Sequence, residues 1–428
     1  MSTVLSGAGR RGRLASVGGV TLAAATFGVG GSARAALAQS SAERAPTAGQ
    51  LSLGFAVDTT AVPGGWWGVD PALAALPAVV RTWRDYLAVR ADSARRRAFW
   101  SAADRARAAE PDLALVSESY ILEGRPLLVE ALPVVAGDAS RWVLRTVHVG
   151  VGSAARPGLL AMERTYVVRE TDAGGGARWV LVQPAARETA GWRRTRSGAI
   201  TYVVHPAVAW DARQAAATAA WADSLVRRFG LPPAAPVTYY QVPDLQAGQR
   251  VMGFDWAISA DRAGGRANPE GRIVIAADPR YGAAYRHELV HVLLAPLVAG
   301  RSGFVGEGLA YWLGGARGRP FGAMLADLAG YLAGQPTIGL RDILAGDGTG
   351  VAGSAQLPAA AALFELAHRR GGDAAVRRFI AGVGAKDPTL DDVARAFGVT
   401  PDVLEAEWWR LVRAYGVASR QSGPMRPR

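Results

Sequence analysis

The chain has 428 residues, of which 50% are hydrophobic, so it is long enough for two or three domains with their own cores. It contains no cysteine, which excludes disulfide bonds and thiolate metal sites. The formal net charge is +12, but Lys386 is the only lysine and the arginines are scattered in short runs. Because a nucleic-acid footprint needs clustered cations with stacking aromatic rings, we expect no nucleic-acid partner.

The N-terminal region has the order of a secretory signal peptide. Arg10 and Arg11 precede an uncharged, weakly apolar stretch from Leu14 to Gly30, and Ala36-Leu37-Ala38 offers a cleavage site. We predict a signal peptide over residues 1–38 and an exported protein, periplasmic or extracellular. The paired arginines indicate twin-arginine export, although the motif is imperfect. A disordered N-terminus is the alternative. No other stretch is apolar enough to span a bilayer.

Residues 39–65 are rich in Ala, Ser, Pro and Gly and are predicted to form a linker. An accessory domain is predicted over residues 66–196, with a helical pattern over 70–107 and strands at 142–149, 163–169 and 178–182. Helices followed by antiparallel strands predict a small α+β domain. Its outline resembles the nuclear transport factor 2-like cone.

The accessory domain shows no catalytic constellation. His148 lies in the middle of a predicted strand, where a satisfied core or surface histidine is favoured over one that lines a cavity, because no partner motif accompanies it. The domain could position substrate, bind a partner or shield the rest of the chain.

A second domain is predicted over residues 197–420, followed by a tail over 421–428. Strands at 198–205, 237–242 and 272–276 and a helix at 211–229 precede a mostly helical C-terminal part with glycine-rich turns. The final helix begins with Thr400 as N-cap and Pro401 in the first turn. The predicted fold class for the whole chain is therefore α+β.

Two of the five histidines fall in one short stretch, His287-Glu288-Leu289-Val290-His291. No Gly or Pro interrupts this stretch, and its apolar residues recur at helical spacing. Histidines four residues apart project from the same face of a helix, where both can ligate one zinc ion. Glu288 then flanks the metal, the position required of a general base.

A third zinc ligand is expected from the segment Gly306-Glu307-Gly308-Leu309-Ala310. Pro296, Gly300 and Gly303 interrupt the chain before it, so a second, antiparallel helix would return Glu307 toward the histidines. The small Gly308 and Ala310 would allow the two helices to approach closely near the metal. We predict one Zn²⁺ bound by His287, His291 and Glu307, with a fourth position open for water.

The two motifs resemble those of the gluzincin metallopeptidases, in particular the peptidase MA-like group. The resemblance covers roughly the second half of the chain and implies a zincin-like domain. It also implies zinc binding by His287, His291 and Glu307, with Glu288 as the general base.

The resemblance has two further implications. Gluzincins use an edge strand near the metal to pair with extended substrate, which implies that role for Ile273, Val274 and Ile275. Many members also carry a downstream Tyr or His that stabilises the oxyanion, but the comparable stretch here, residues 351–355, contains neither. Tyr331 and Tyr311 are the substitutes, as oxyanion or supporting residues, and a packed core tyrosine is the alternative for Tyr331.

These features predict an exported zinc metallopeptidase that acts on a peptide or protein substrate. The alternative is a zinc-binding recognition or adhesion module with little or no activity, because a missing oxyanion donor typically costs about 10²–10³ in rate. A small-molecule site in the N-terminal half is a further alternative.

Overall fold

The computed structural model describes residues 71–422, apart from residues 109 and 136 and the segments 151–157, 172–174, 259–263 and 347–352. The predicted signal peptide and linker lie outside the described residues, as does most of the predicted tail. Helices combine with one antiparallel sheet and one mixed sheet, which confirms the α+β class. Within the described part of the chain, no helix combines the length and apolarity needed to cross a membrane.

The elements of the first half are α1 (Leu76–Val89), α2 (Ser93–Arg96), α3 (Ala102–Arg107), α4 (Leu113–Ser117), β1 (Gly124–Pro133), β2 (Arg141–Gly150), β3 (Leu159–Thr171), β4 (Ala177–Val182), α5 (Pro184–Glu188), β5 (Arg193–Ser197), β6 (Ile200–Val204), α6 (Ala212–Arg228), β7 (Val237–Gln241), α7 (Leu245–Met252), β8 (Phe254–Ala257), β9 (Gly264–Asn268) and β10 (Ile273–Ala277).

The remaining elements are helical: α8 (Arg286–Leu293), α9 (Ala295–Val298), α10 (Gly303–Gly314), α11 (Phe321–Ala333), α12 (Leu340–Ala345), α13 (Gly353–Gly382), α14 (Leu390–Phe397) and α15 (Pro401–Ser422). Helix α13 is two helices that meet at a kink at Gly371 and Gly372. Short 3-10 helices cover Pro71–Ala75, Arg97–Phe99, Ser119–Glu123 and Pro279–Tyr281.

The first sheet has the order β1-β2-β3-β4, and β8 pairs with β3 beside β4. Alternate residues of β2 are buried, and Trp142 and Leu144 pack against Val79 and Trp83 of α1. The predicted strands match β2, β3 and β4. Strand β1 was missed because its burial does not alternate cleanly.

A buried ionic cluster lies beneath this sheet. The Arg90 guanidinium donates from Nε to Asp112 at 2.8 Å and from Nη1 to Glu163 at 2.7 Å. His148 Nε2 lies 2.8 Å from Glu163 Oε2, and the Tyr86 hydroxyl donates to Asp112. All five side chains are buried. His148 is therefore a member of a structural cluster, in agreement with the interpretation favoured from the sequence.

The second sheet has the order β5-β6-β7-β10-β9, with parallel pairing among β6, β7 and β10 and antiparallel strands at both edges. The prediction that Ile273, Val274 and Ile275 form an edge strand is wrong, because β10 lies between β7 and β9. The edge strands are β5 and β9, and β9 has the sequence Gly-Gly-Arg-Ala-Asn, whose low β propensity hides it from pattern analysis.

The predicted domains share a core. Leu113, Leu115 and Ile121 of the N-terminal half pack with Ile273 and Ile275 on one face of the second sheet. Strand β5 belongs to the second sheet although it precedes residue 197, and β8 returns to the first sheet. The expected boundary at residue 196 therefore separates neither the sheets nor the cores. The opposite face of the second sheet packs against α6, α8 and the C-terminal helices.

Candidate metal centre

Helix α8 carries both histidines and begins without a side-chain cap at Tyr285. The loop before it is instead held by tyrosines of the second sheet. The Tyr239 hydroxyl donates to the Gly282 carbonyl at 2.8 Å and accepts from the Tyr285 amide at 3.0 Å. The Tyr202 hydroxyl donates to the Ala283 carbonyl at 3.2 Å. The start of α8 is thus fixed relative to the sheet.

The three predicted zinc ligands converge. His287 Nε2 and His291 Nε2 are 3.2 Å apart, and each lies 3.4 Å from a Glu307 carboxylate oxygen. The ligand atoms all lie within 4.8 Å of one another. Helix α10 packs against α8 and supplies Glu307, as the helix–turn–helix interpretation requires.

The close approach of the two helices does not come from Gly308, so that part of the prediction is wrong. A Cβ at Gly308 would meet Ala360 at 2.9 Å and Phe364 at 2.8 Å, so this glycine faces α13. The close contact is at Gly314, where a Cβ would lie 2.6 Å from the backbone nitrogen of His287.

The other ring nitrogen of His287 is also engaged. His287 Nδ1 lies 2.8 Å from the carbonyl oxygen of Gly315. A carbonyl only accepts, so Nδ1 carries a proton and the neutral ring presents a bare Nε2 to the cluster. Sequence analysis missed this contact, since a backbone carbonyl leaves no residue-type signal.

The electrostatics of the cluster favour a positive charge at its centre. Burial opposes a charged ring at His287, but the hydrogen bond to Glu307 and the charges of Glu288 and Glu307 raise its pKa to about 9. Burial likewise opposes the Glu307 carboxylate, but His291 and His287 lower its pKa to about 2. Without a metal, a proton occupies the place where a cation would fit.

The cluster fits a zinc ion by the chemistry of its donors. Two imidazole nitrogens that face each other at 3.2 Å cannot both present lone pairs unless a proton or a cation lies with them. Two nitrogens and one carboxylate oxygen are a ligand set that zinc accepts, with room for water.

Glu288 is buried beside the edge strand. A Cβ at Gly265 of β9 would lie 2.8 Å from Glu288 Cγ and would overlap the ring of Tyr285. Tyr285 in turn stacks on Tyr281, with ring centroids 3.9 Å apart. Strand β9 therefore lies directly against the predicted general base at Gly265, and glycine is required there for that approach.

The two tyrosines singled out from the sequence have different surroundings. The Tyr311 ring lies edge-on to the His287 ring, with centroids 5.2 Å apart, one turn after Glu307. Tyr331 lies in α11 and packs, partly buried, against the main core. Residues 351 and 352 of the stretch compared with the family lie outside the described residues.

Comparisons with known proteins identify no relative. No family model matches the chain, and neither the curated proteins nor the solved structures include a match.

Proposed function

We propose that this chain is an exported zinc-dependent metallopeptidase of the gluzincin type. The observation that carries the proposal is the convergence of His287 Nε2, His291 Nε2 and a Glu307 carboxylate oxygen within 4.8 Å. These residues would hold one Zn²⁺, which when bound polarises a carbonyl and lowers the pKa of water to about 7. The proposal includes a zincin-like arrangement for residues 197–420 and the predicted signal peptide, while the likeness of residues 66–196 to a nuclear transport factor 2-like cone stays a prediction.

Glu288 is proposed as the general base. Its carboxylate takes a proton from the attacking water and returns it to the leaving amine. Gly265 lies against it and Tyr285 packs nearby, which limits the positions the carboxylate can adopt. Tyr311 is the proposed donor to the developing oxyanion, since it lies next to His287.

Strand β9 is proposed as the substrate strand in place of β10. An extended peptide can pair with an exposed strand edge through main-chain hydrogen bonds, which bind backbone independently of sequence. β9 is the edge strand nearer the site, and its residue Gly265 lies against Glu288. A peptide paired there would bring a peptide bond alongside the general base.

The experiment compares wild type with His291→Ala after loading with one equivalent of zinc. We expect about one zinc ion per wild-type chain, cleavage of a mixed peptide library detected by mass spectrometry, loss of cleavage with a chelator, and recovery when zinc is restored. His291→Ala should lose both zinc and cleavage. Zinc binding without cleavage would instead support the recognition-module alternative, and wild type that binds no zinc would refute the proposal.

A further inference from the structure

We infer that the segment Gly314–Arg319 is a built-in clamp that orients His287 for metal binding, with the Gly315 carbonyl as its positioning group. The inference rests on the metal-binding part of the proposed function. The Gly315 carbonyl lies eight residues after Glu307, outside both the His287–His291 motif and the segment 306–310. Three observations carry it: the conformation of Gly315, the turn that follows, and the contacts of the segment with the start of α8.

Gly315 adopts a backbone conformation that in practice only glycine reaches. Its φ is +70° and its ψ is −162°, a region closed to residues with a Cβ. A Cβ at this position would also overlap the carbonyl oxygen of Arg319. The Gly315 amide still caps α10, donating to the Tyr311 carbonyl at 3.1 Å. The unusual ψ therefore turns the Gly315 carbonyl out of the helix direction, and it accepts from His287 Nδ1.

The residues after Gly315 form a tight hairpin that fixes this conformation. Ala316 and Arg319 exchange both backbone hydrogen bonds, at 3.0 and 2.9 Å. The two central residues, Arg317 and Gly318, have φ of +51° and +72°. Positive φ at both centres is typical of a two-residue type I′ turn. Arg317 is one of two non-glycine residues with positive φ in the described part of the chain, so local strain is accepted here.

The clamp packs against the start of helix α8 and the residues just before it. Gly314 contacts the backbone of His287, where a Cβ would come within 2.6 Å of its nitrogen. A Cβ at Gly318 would lie in van der Waals range of Tyr281, whose ring stacks on Tyr285. The segment therefore contacts His287 through Gly314 and Gly315, and its turn at Gly318 lies near the aromatic pair that precedes α8.

The consequence is a fixed tautomer. An acceptor at Nδ1 keeps the proton on that nitrogen and leaves Nε2 free for the metal, aimed at the partners from His291 and Glu307. Losing such an orienting partner typically costs 10–100-fold in metal affinity.

The test is zinc affinity of the full chain, measured by competition with a chromophoric chelator, for wild type, Gly315→Ala and Gly398→Ala. Gly398 is the matched control: its φ is +69°, it ends helix α14, and a Cβ there would meet nothing within 4 Å. We expect Gly315→Ala to bind zinc about 10–100-fold more weakly and Gly398→Ala to bind as wild type. Equal zinc affinity for Gly315→Ala and wild type would overturn the inference.

A second measurement needs no variant. In zinc-loaded wild type with ¹⁵N-labelled histidine, the clamp predicts a slowly exchanging proton on His287 Nδ1 and metal on Nε2. A His287 ring bound through Nδ1, or one without the Nδ1 proton, would also overturn the inference. Wild type that binds no zinc at all would instead contradict the proposed function, so the two failures are distinguishable.

Discussion

Two clusters of ionisable side chains lie in different parts of the molecule, and each contains a histidine and a glutamate in hydrogen-bonding contact. In the first-sheet cluster, Glu163 accepts from both His148 and Arg90. In the second cluster, Glu307 lies against His287 and His291, and among the described residues no lysine or arginine pairs with it. The first cluster contains its own cation. In the second cluster, two imidazole nitrogens and a carboxylate surround a position that a proton or a metal ion must occupy.

The difference separates a structural cluster from a candidate site. The first-sheet cluster is closed, since Arg90 is 3% exposed and Asp112 is 1% exposed. The metal-centre residues are less enclosed, with the Glu307 side chain 31% exposed, and they lie beside the edge strand β9. Buried carboxylates that are already paired with an arginine have a structural role. Imidazole and carboxylate groups that converge without such a cation indicate a site that binds one.

The largest effect is expected from Glu288→Gln, which tests whether the second cluster is catalytic. The amide keeps the shape of the side chain but cannot accept the proton of water, so kcat should fall by about 10²–10⁴. Zinc content should stay as in wild type, because Glu288 is not among the three ligands. Steady-state cleavage of a library-derived peptide and metal analysis check this. Unchanged cleavage by zinc-loaded Glu288→Gln would exclude the assigned role.

Arg90→Met is expected to produce the next largest effect, on stability. It leaves the Asp112 and Glu163 carboxylates buried without their cation, and breaking a buried ion pair costs about 3–5 kcal/mol. Urea unfolding measures this. Arg84→Met is the control: its pair with Asp85 is exposed, 56% and 52%, and such pairs contribute about 0–1 kcal/mol. Similar losses for the two variants would mean that the buried cluster is not a structural anchor.

The sequence predicted which three side chains converge at the candidate metal centre but not the architecture around them. His287 and His291 are four residues apart on one helix, and Glu307 lies on the helix that follows after a short connection. Local helical periodicity was therefore sufficient to predict that the three side chains meet. The buried cluster joins Arg90 to Glu163 across 73 positions, and no local pattern predicts such a pair. The edge strand β9 was missed for another reason: its two glycines remove the usual strand signal, and one of them, Gly265, is required because Tyr285 and Glu288 occupy the space that a side chain would need.

Gly265→Ala tests whether the close approach of the proposed substrate strand β9 to Glu288 matters for activity. A methyl group there must displace Glu288 or Tyr285, and a misplacement of about 1 Å at a reacting group can cost about 10² in rate. Gly264→Ala is the matched control, since a Cβ at Gly264 would meet nothing within 4 Å. We expect kcat/KM to fall for Gly265→Ala alone, with zinc affinity unchanged for both variants. A drop of equal size in both would assign the effect to strand propensity.

The smallest effect per step is expected from pH, through the candidate metal centre. The pKa of His287 is raised to about 9 in the metal-free protein, so zinc must displace a proton from the ring below that pH. The apparent zinc affinity should therefore rise about tenfold per pH unit between pH 7 and 9, measured by calorimetry in buffers of different ionisation enthalpy. An affinity that stays constant over this range would contradict the raised pKa.

Stability is expected to change with pH in opposite directions in the metal-free and the zinc-loaded protein. Because the folded pKa of His287 exceeds its unfolded value of 6.5, protonation stabilises the metal-free protein fully below pH 6.5, and this contribution is lost as pH rises through 9. Its thermal midpoint should fall over that interval, while at fixed free zinc the loaded protein gains stability because binding tightens. Glu307→Gln removes the carboxylate that holds the proton and should flatten the metal-free trend. A metal-free midpoint that rises from pH 7 to 9 would show that the ring is neutral, and that the centre is open to zinc without proton release.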